Sequence, residues 1–303
     1  MRLFQAPASS LQSRAPSPVC YAGAVPRLTV TVITHNEASH LAAALESVKW
    51  ADELVVVDSE STDDTVSIAR RFTDRVEVRA WPGYVEQKNH AAWLSSHDWI
   101  LSLDADERVT PELAASIRAA LGATPETSAT PAHAAFRLAR VTFHLGRWIR
   151  STDWYPDHQI RLYDRRSARW TGQHVHEAMD VNGTTGDLSG ELQHLPYRDV
   201  SDHLETIDRY TTLSARQMHE QGRRAGLLQL AGHPPLAFLR NYIARGGFKD
   251  GVPGFIISSL NAYYVFLKFA KLRELDRVGD RTTKAEPSTS NVKSSTSNIE
   301  PRT

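Results

Sequence analysis

"WILSLDADERVT", Trp99 to Thr110, decides how the rest of the chain is read. An apolar run of strand length ends in Asp104, Asp106 and Glu107, after which Thr110 and Pro111 open a helix as N-cap and first-turn residue. Carboxylates two apart at a strand end project to the same side and repel one another, so something must offset them. A divalent cation would do so. So would the solvent around a turn that merely caps the next helix, and the flanking sequence has to choose.

Working outward, "RLTVTVITHNE" (27–37) alternates and stops at polar residues, which is a strand, and "ASHLAAALESVKW" (38–50) follows with Leu41, Leu45 and Val48 at helical spacing. "ELVVVD" (53–58) is an unbroken apolar run typical of a strand covered on both faces. "STDDTVSIARRF" (61–72) after it carries Ser61-x-x-Asp64, a variant of the capping box. "RVEVRAW" (75–81) and "YVEQKNHAAWLSS" (84–96) read as a third strand and helix. Such alternation with short joins predicts an α/β fold, a mostly parallel sheet with helices on both faces, which binds ligands beyond the carboxyl ends of its strands. Those ends carry Thr34-His35-Asn36-Glu37, Asp58-Ser59-Glu60 and Asp104-Ala105-Asp106. Three polar ends converging on one edge favour a site over a solvated turn.

The linker "GATPETSATPAHA" (122–134) breaks the pattern. "AFRLARVTF", "HQIRLYDRRSARWTG" and "HVHEAMDV" then read as strands and hairpin turns, and from Ser201 the chain turns helical, through "SDHLETIDRYTTLSARQMHEQG", "PLAFLRNYIARGG" and "GFIISSLNAYYVFLKFAKLREL". The expected organisation is a disordered extension over 1–26, a catalytic unit over 27–200 (27–121 and 135–200), a helical region over 201–276, and a Ser/Thr-rich unfolded tail over 277–303. Lys plus Arg and Asp plus Glu number 35 each among 303 residues, so the total charge gives no pull toward nucleic acid. A single cysteine, Cys20, suits a reducing compartment, and residues 1–26 lack the apolar core of a secretory signal.

No glycine-rich dinucleotide fingerprint and no phosphate-binding P-loop is present, which counts against hydride transfer and ATP-driven chemistry. An Asp-x-Asp at a strand end most simply holds Mg²⁺ or Mn²⁺ on hard oxygen ligands while the ion grips a diphosphate. "VITHNEASHLAAALESV", "ELVVVDSESTDDT" and "LSLDADE", in this order and spacing, resemble the nucleotide-diphospho-sugar-binding half of family 2 glycosyltransferases, which have the GT-A fold. Further on, "HQIRLYDRRSARWTGQHVHEAM" and "RNYIARGGFKDGVPGFIISSLNAYYVFLKFAKL" resemble the lipopolysaccharide-core subgroup similar to the β-1,4-glucosyltransferase of the inner-core heptose.

The resemblance implies that Thr34, Asn36 and Glu37 line the nucleotide pocket, that Asp58 meets uracil or ribose, that Asp104 contacts ribose or metal, and that Asp106 is the direct metal ligand. The second motif more commonly reads Asp-Asp-Gly, where this chain has Asp58-Ser59-Glu60. An inverting member needs a carboxylate base: Glu177 is the first choice and Asp157 the second. Arg161 could face the diphosphate or a phosphorylated core, or belong with Arg165, Arg166 and Arg169 to a solvated hairpin face. His174 and His176 share a strand face, but two ligands do not close a zinc site. Trp148, Trp154, Tyr155 and Trp170 divide between sugar stacking and core packing.

The uncharged stretch Gly254–Leu267, fourteen residues, is too short to span a bilayer, and Arg240, Arg245, Lys249, Lys268, Lys271 and Arg273 flank it, so it reads as a helix packed on the catalytic unit or resting on anionic lipid. The implied activity is inverting transfer of a hexose, glucose from UDP-glucose, to the lipid A-anchored core by a cytoplasmic enzyme peripheral to the inner membrane. Another acceptor (a polyprenyl phosphate, a peptide or another glycan) is the alternative within the family. A phosphohydrolase would want Thr where Arg108 stands, and a non-catalytic nucleotide-sugar binder is the third class.

Overall fold

The computed structural model describes residues 26–122, 131–173 and 176–284. The first half alternates as the periodicity predicts: β1 (Leu28–Thr34), α1 (Leu41–Val48), β2 (Glu53–Asp58), α2 (Thr65–Ala69), β3 (Val76–Val78), α3 (Tyr84–Leu94), β4 (Trp99–Asp104), a short β5 (Glu107–Val109) and α4 (Pro111–Ala120). Then come β6 (Ala135–His144), β7 (Arg147–Ile149), β8 (Asp157–Asp164), β9 (Ala168–Gln173), β10 (His176–Val181) and β11 (Thr185–His194). The chain closes with α5 (Val200–Glu220), α6 (Leu227–Leu239), a π-helical turn at Arg240–Ala244 and α7 (Gly251–Lys284).

One sheet runs in the order β3-β2-β1-β4-β8-β6-β11-β5, with β7 on β6. It is parallel from β3 to β4, as expected, but β8 joins β4 antiparallel and β5 joins β11 antiparallel. The second half therefore makes the sheet mixed. All seven residues of β1 are buried, because α1 packs on one face and α3 on the other. Its register sets Thr34 beside Asp58 and Ile33 beside Asp104, so three polar strand ends reach one edge together. At α4 the expected cap is formed: the Thr110 hydroxyl accepts from the Leu113 N–H at 3.3 Å.

Three expectations need correction. Ser61 does not build a capping box; Asp64 is the N-cap residue of α2, and Ser61 is spent on Asp58 and Asn36 instead. The helix expected from Pro235 starts at Leu227, with Pro234 and Pro235 inside it. A proline inside a helix costs about 3 kcal/mol, an amount that packing of the partly buried Leu230 on the cluster of Phe269 and Leu272 of α7 helps to offset. Helix α7 also continues to Lys284, into the stretch assigned to the tail. The remainder of both terminal extensions, and most of the linker, lie outside the described residues.

Where β11 shifts register between Asp187 and Glu191, Gly190 sits at φ +86°, and a Cβ there would lie 2.4 Å from the Leu113 nitrogen. Gly190→Ala would be both left-handed and overpacked, so it should lower the unfolding free energy by roughly 2–4 kcal/mol in denaturant titration. An unchanged midpoint would mean that α4 does not press on β11 as described.

Candidate active site

The loop after β1 is fixed by the loop after β2. Asn36, at φ +55°, donates its N–H to the Ser61 hydroxyl at 2.7 Å and accepts from the Thr62 N–H at 2.8 Å. Asp58 is fully buried and accepts from the Ser61 N–H at 2.8 Å and the Ser61 hydroxyl at 2.6 Å. Glu60, which stands where the commoner motif has glycine, takes φ +57°, a conformation that costs a non-glycine residue about 1–2 kcal/mol. The serine contacts hold the turn in place of the glycine's freedom.

Beneath β4 lies a buried charge network. Arg161, 3% exposed, donates to Asp104 and to Glu107, each at 2.7 Å. Glu107 is fully buried, also meets Arg140 at 3.1 Å, and accepts the Asp104 N–H at 3.0 Å. It is therefore far more than a helix cap. Lys88 of α3, 3% exposed and lying over the Trp170 ring, reaches Asp104 at 3.2 Å and Glu177 at 2.7 Å. Burial would raise the Asp104 carboxyl, but Arg161 and Lys88 outweigh it and hold the group far below the ordinary carboxylate range. Glu177 arrives on the β9–β10 hairpin, which Asn89 of α3 clamps by bonding both the N–H and the carbonyl of Trp170.

These groups open onto a cavity of about 930 Å³ lined by Thr34, Glu37, Asp104, Asp106, Glu177 and His194 on the strand side. Helices α5 and α7 supply the facing wall, with Tyr210, Ile257, Asn261 and Tyr264 among its residues. Of the predicted residues, Thr34, Glu37, Asp104, Asp106 and Glu177 meet there. Asn36 and Asp58 shape the loops from behind. Asp157 does not line the cavity; its carboxylate is held by Arg140 at 2.6 Å and Gln159 at 2.6 Å. Arg161 does not line it either, since its guanidinium is consumed by Asp104 and Glu107, while Arg165 and Arg166 pair with Asp98 on the surface. Trp154 reaches the cavity, Trp170 is core, and Trp148 packs on Phe143. His174 and the side chain of His176 lie outside the described residues.

Sequence reading missed Lys88 and Arg140, and gave His194 no role beside Asp106. The signal for Lys88 was a charged residue on the inward face of a helix, where Gln87 and Lys88 are buried beside Ala91 and Ala92. Among the described residues no three His, Cys, Asp or Glu side chains converge as a metal site; Asp106 and His194 stand 3.3 Å apart on the cavity wall, and the Thr34 hydroxyl there is buried without a protein partner. The Glu37 carboxyl is pushed up to about 7, by burial first and then by Asp106, Asp63 and Asp104. Asp104, with both oxygens engaged, is less free for a metal than Asp106.

A family model, glycosyl transferase family 2, matches residues 29–183. The lipopolysaccharide core biosynthesis glycosyltransferase LpsC of Rhizobium meliloti is 31% identical over 82% of this chain and 93% of its own length. An uncharacterized glycosyltransferase of Rickettsia typhi is also 31% identical, over 82% of this chain and 87% of its own. Among solved structures, S. aureus TarS 1-349 in complex with UDP-GlcNAc matches at 15% identity and TM-score 0.42, over 84% of this chain and 92% of that one. Glucosyl-3-phosphoglycerate synthase of M. tuberculosis with Mn²⁺ and UDP-glucose matches at 23% identity and TM-score 0.30, over 39% and 44%. The chain belongs to glycosyltransferase family 2 and carries its GT-A fold; it is a transferase similar to enzymes of lipopolysaccharide core assembly.

Glu37 gives a pH prediction. With its folded-state pKa raised from 4.5 to about 7, the native chain holds a proton in that window that the unfolded chain has lost, so stability falls as pH rises from 4.5 to 7. Glu37→Gln should melt higher than wild type above pH 7, and the advantage should vanish below pH 4.5. A pH-independent difference would refute the shift.

Proposed function

We propose that the protein transfers a hexose, glucose from UDP-glucose, with inversion onto the lipid A-anchored lipopolysaccharide core at the cytoplasmic face of the inner membrane. The observation that carries this reading is the pairing across one cavity of an acidic strand edge, Asp104 and Asp106, with an independent carboxylate, Glu177, held by Lys88. The kinship with LpsC supports the acceptor class.

On this reading Thr34 and Glu37 border the nucleotide, and Asp58 and Asn36 keep their loop in shape. Asp104, neutralised by Lys88 and Arg161, adds no net repulsion toward a diphosphate and can accept from a ribose hydroxyl. Asp106 and His194 would hold Mg²⁺ or Mn²⁺; when bound, the ion supplies positive charge to the departing diphosphate. Glu177 takes the proton of the acceptor hydroxyl as its oxygen attacks the anomeric carbon from the face opposite the diphosphate. The C1–O bond to the diphosphate breaks as the new glycosidic bond forms, and UDP leaves with the bonding pair. Trp154 and Tyr210 offer ring faces to the acceptor sugars.

Lipopolysaccharide from a deletion strain should lack one hexose of the inner core by mass spectrometry. In vitro, Glu177→Gln should cut kcat by at least about a hundredfold with little change in donor affinity, whereas Asp157→Asn should stay within about threefold of wild type. An intact core in the deletion strain would overturn the acceptor, and an active Glu177→Gln would overturn the base.

A further inference from the structure

Helices α6 and α7 leave two rows of large apolar side chains in solvent. On α6 and the π-helical turn the row is Leu228, Leu236, Leu239 and Ile243, between 48% and 79% exposed, at spacings that keep to one face. On α7 it is Val252, Phe255, Tyr263 and Phe266, between 41% and 71% exposed. The rings of Phe238, Tyr242, Phe248 and Phe255 touch at 5.3–6.4 Å between centroids and join the rows into one surface. Soluble chains scatter single apolar residues over their surfaces, but a contiguous patch of this extent marks a partner.

The charge around the patch selects the partner. From Gly222 to Leu272 the chain carries seven Lys and Arg residues and one acid, Asp250, which is 3% exposed and paired with Arg147. Arg223, Arg224 and Lys249 make no ion pair with the described residues, and the head of Arg240 remains 61% exposed beside Asp153. Apolar rows in a segment stripped of exposed acids match the headgroup region of an anionic bilayer, which buries the first and attracts the second.

By length and composition Gly247–Arg277 could also cross a membrane, more than its fourteen-residue uncharged core suggested. Its packing argues against that. Ile257, Phe269 and Leu272 are buried against the rest of the chain, Lys271 is bound to Asp208 of α5 at 2.7 Å, and Ile257, Asn261 and Tyr264 line the cavity. A spanning helix would strip all of these contacts.

We propose that the exposed rows of α6 and α7 form a docking face that lies in the interface of an anionic lipid bilayer, with α7 as the wall between lipid and active-site cavity. One face of α7 would meet lipid while the other, about 10 Å away across the helix, meets the acceptor. The inference deepens the lipid-anchored acceptor reading and rests on it for its purpose, yet its test needs no sugar.

The full chain is centrifuged with phosphatidylcholine vesicles, with and without phosphatidylglycerol, at low and raised salt. Binding should require the anionic lipid, weaken with salt, and fall by about tenfold or more in the triple variant Leu228→Glu/Leu236→Glu/Val252→Glu. The variant should keep the wild-type circular dichroism and its rate on a detergent-free core oligosaccharide. Absence of wild-type binding, or undiminished binding of the triple variant, would overturn the face. A concentration-dependent dimer by light scattering that the triple variant abolishes, without lipid binding, would assign the face to a second copy and equally overturn it. Vesicle binding without any hexose transfer would instead sink the proposed activity and leave the face standing.

Discussion

The structure turns on a buried salt bridge: Arg161 between Asp104 and Glu107. It ties β8, a strand of the second half, to the acidic end of β4, a strand of the first, and so locks the two halves of the sheet at the position where the site opens. Charges in such a place are costly, and removing one member of a buried pair typically costs about 3–5 kcal/mol because its partner is stranded. The network closes because each acid finds a cation: Glu107 has Arg140 and Arg161, Asp104 has Arg161 and Lys88, and Lys88 passes on to Glu177. Among the described residues Asp106 has His194 as its ion-pair partner and no arginine or lysine.

Much of this was legible from local pattern. The ends of β1, β2 and β4 were readable because each strand is a short apolar run stopped by polar residues, and parallel pairing then places those stops side by side. What was illegible depends on contacts distant in sequence. Lys88 and Glu177 are 89 residues apart, and nothing in "YVEQKNHAAWL" says that its lysine turns inward until the β9–β10 hairpin is laid on α3. His194 gains meaning only through the pairing of β11 with β5, which sets it opposite Glu107 and within reach of Asp106.

Two of the misreadings share a physical origin. Ser61 and Pro235 were judged by rules for isolated helices, and tertiary structure reassigned both. Ser61 supports the loop that Glu60 strains, and Pro235 is carried within α6 by the packing of that helix on α7. Arg161 was weighed as a surface or ligand-facing cation because it lies among three other arginines, but strand alternation points it inward while Arg166 remains on the turn.

The cavity takes one wall from residues near position 35 and the other from residues near position 260. Contacts so far apart in the chain are entropically expensive to close and form late, whereas β1, β2 and β4 can pair as soon as the first half is made. A nascent chain would thus possess a folded sheet edge bearing its acids well before it possesses an enclosed chamber. The transferase acquires its working volume only when α7 docks, so the chamber is assembled by the contact that spans the most chain.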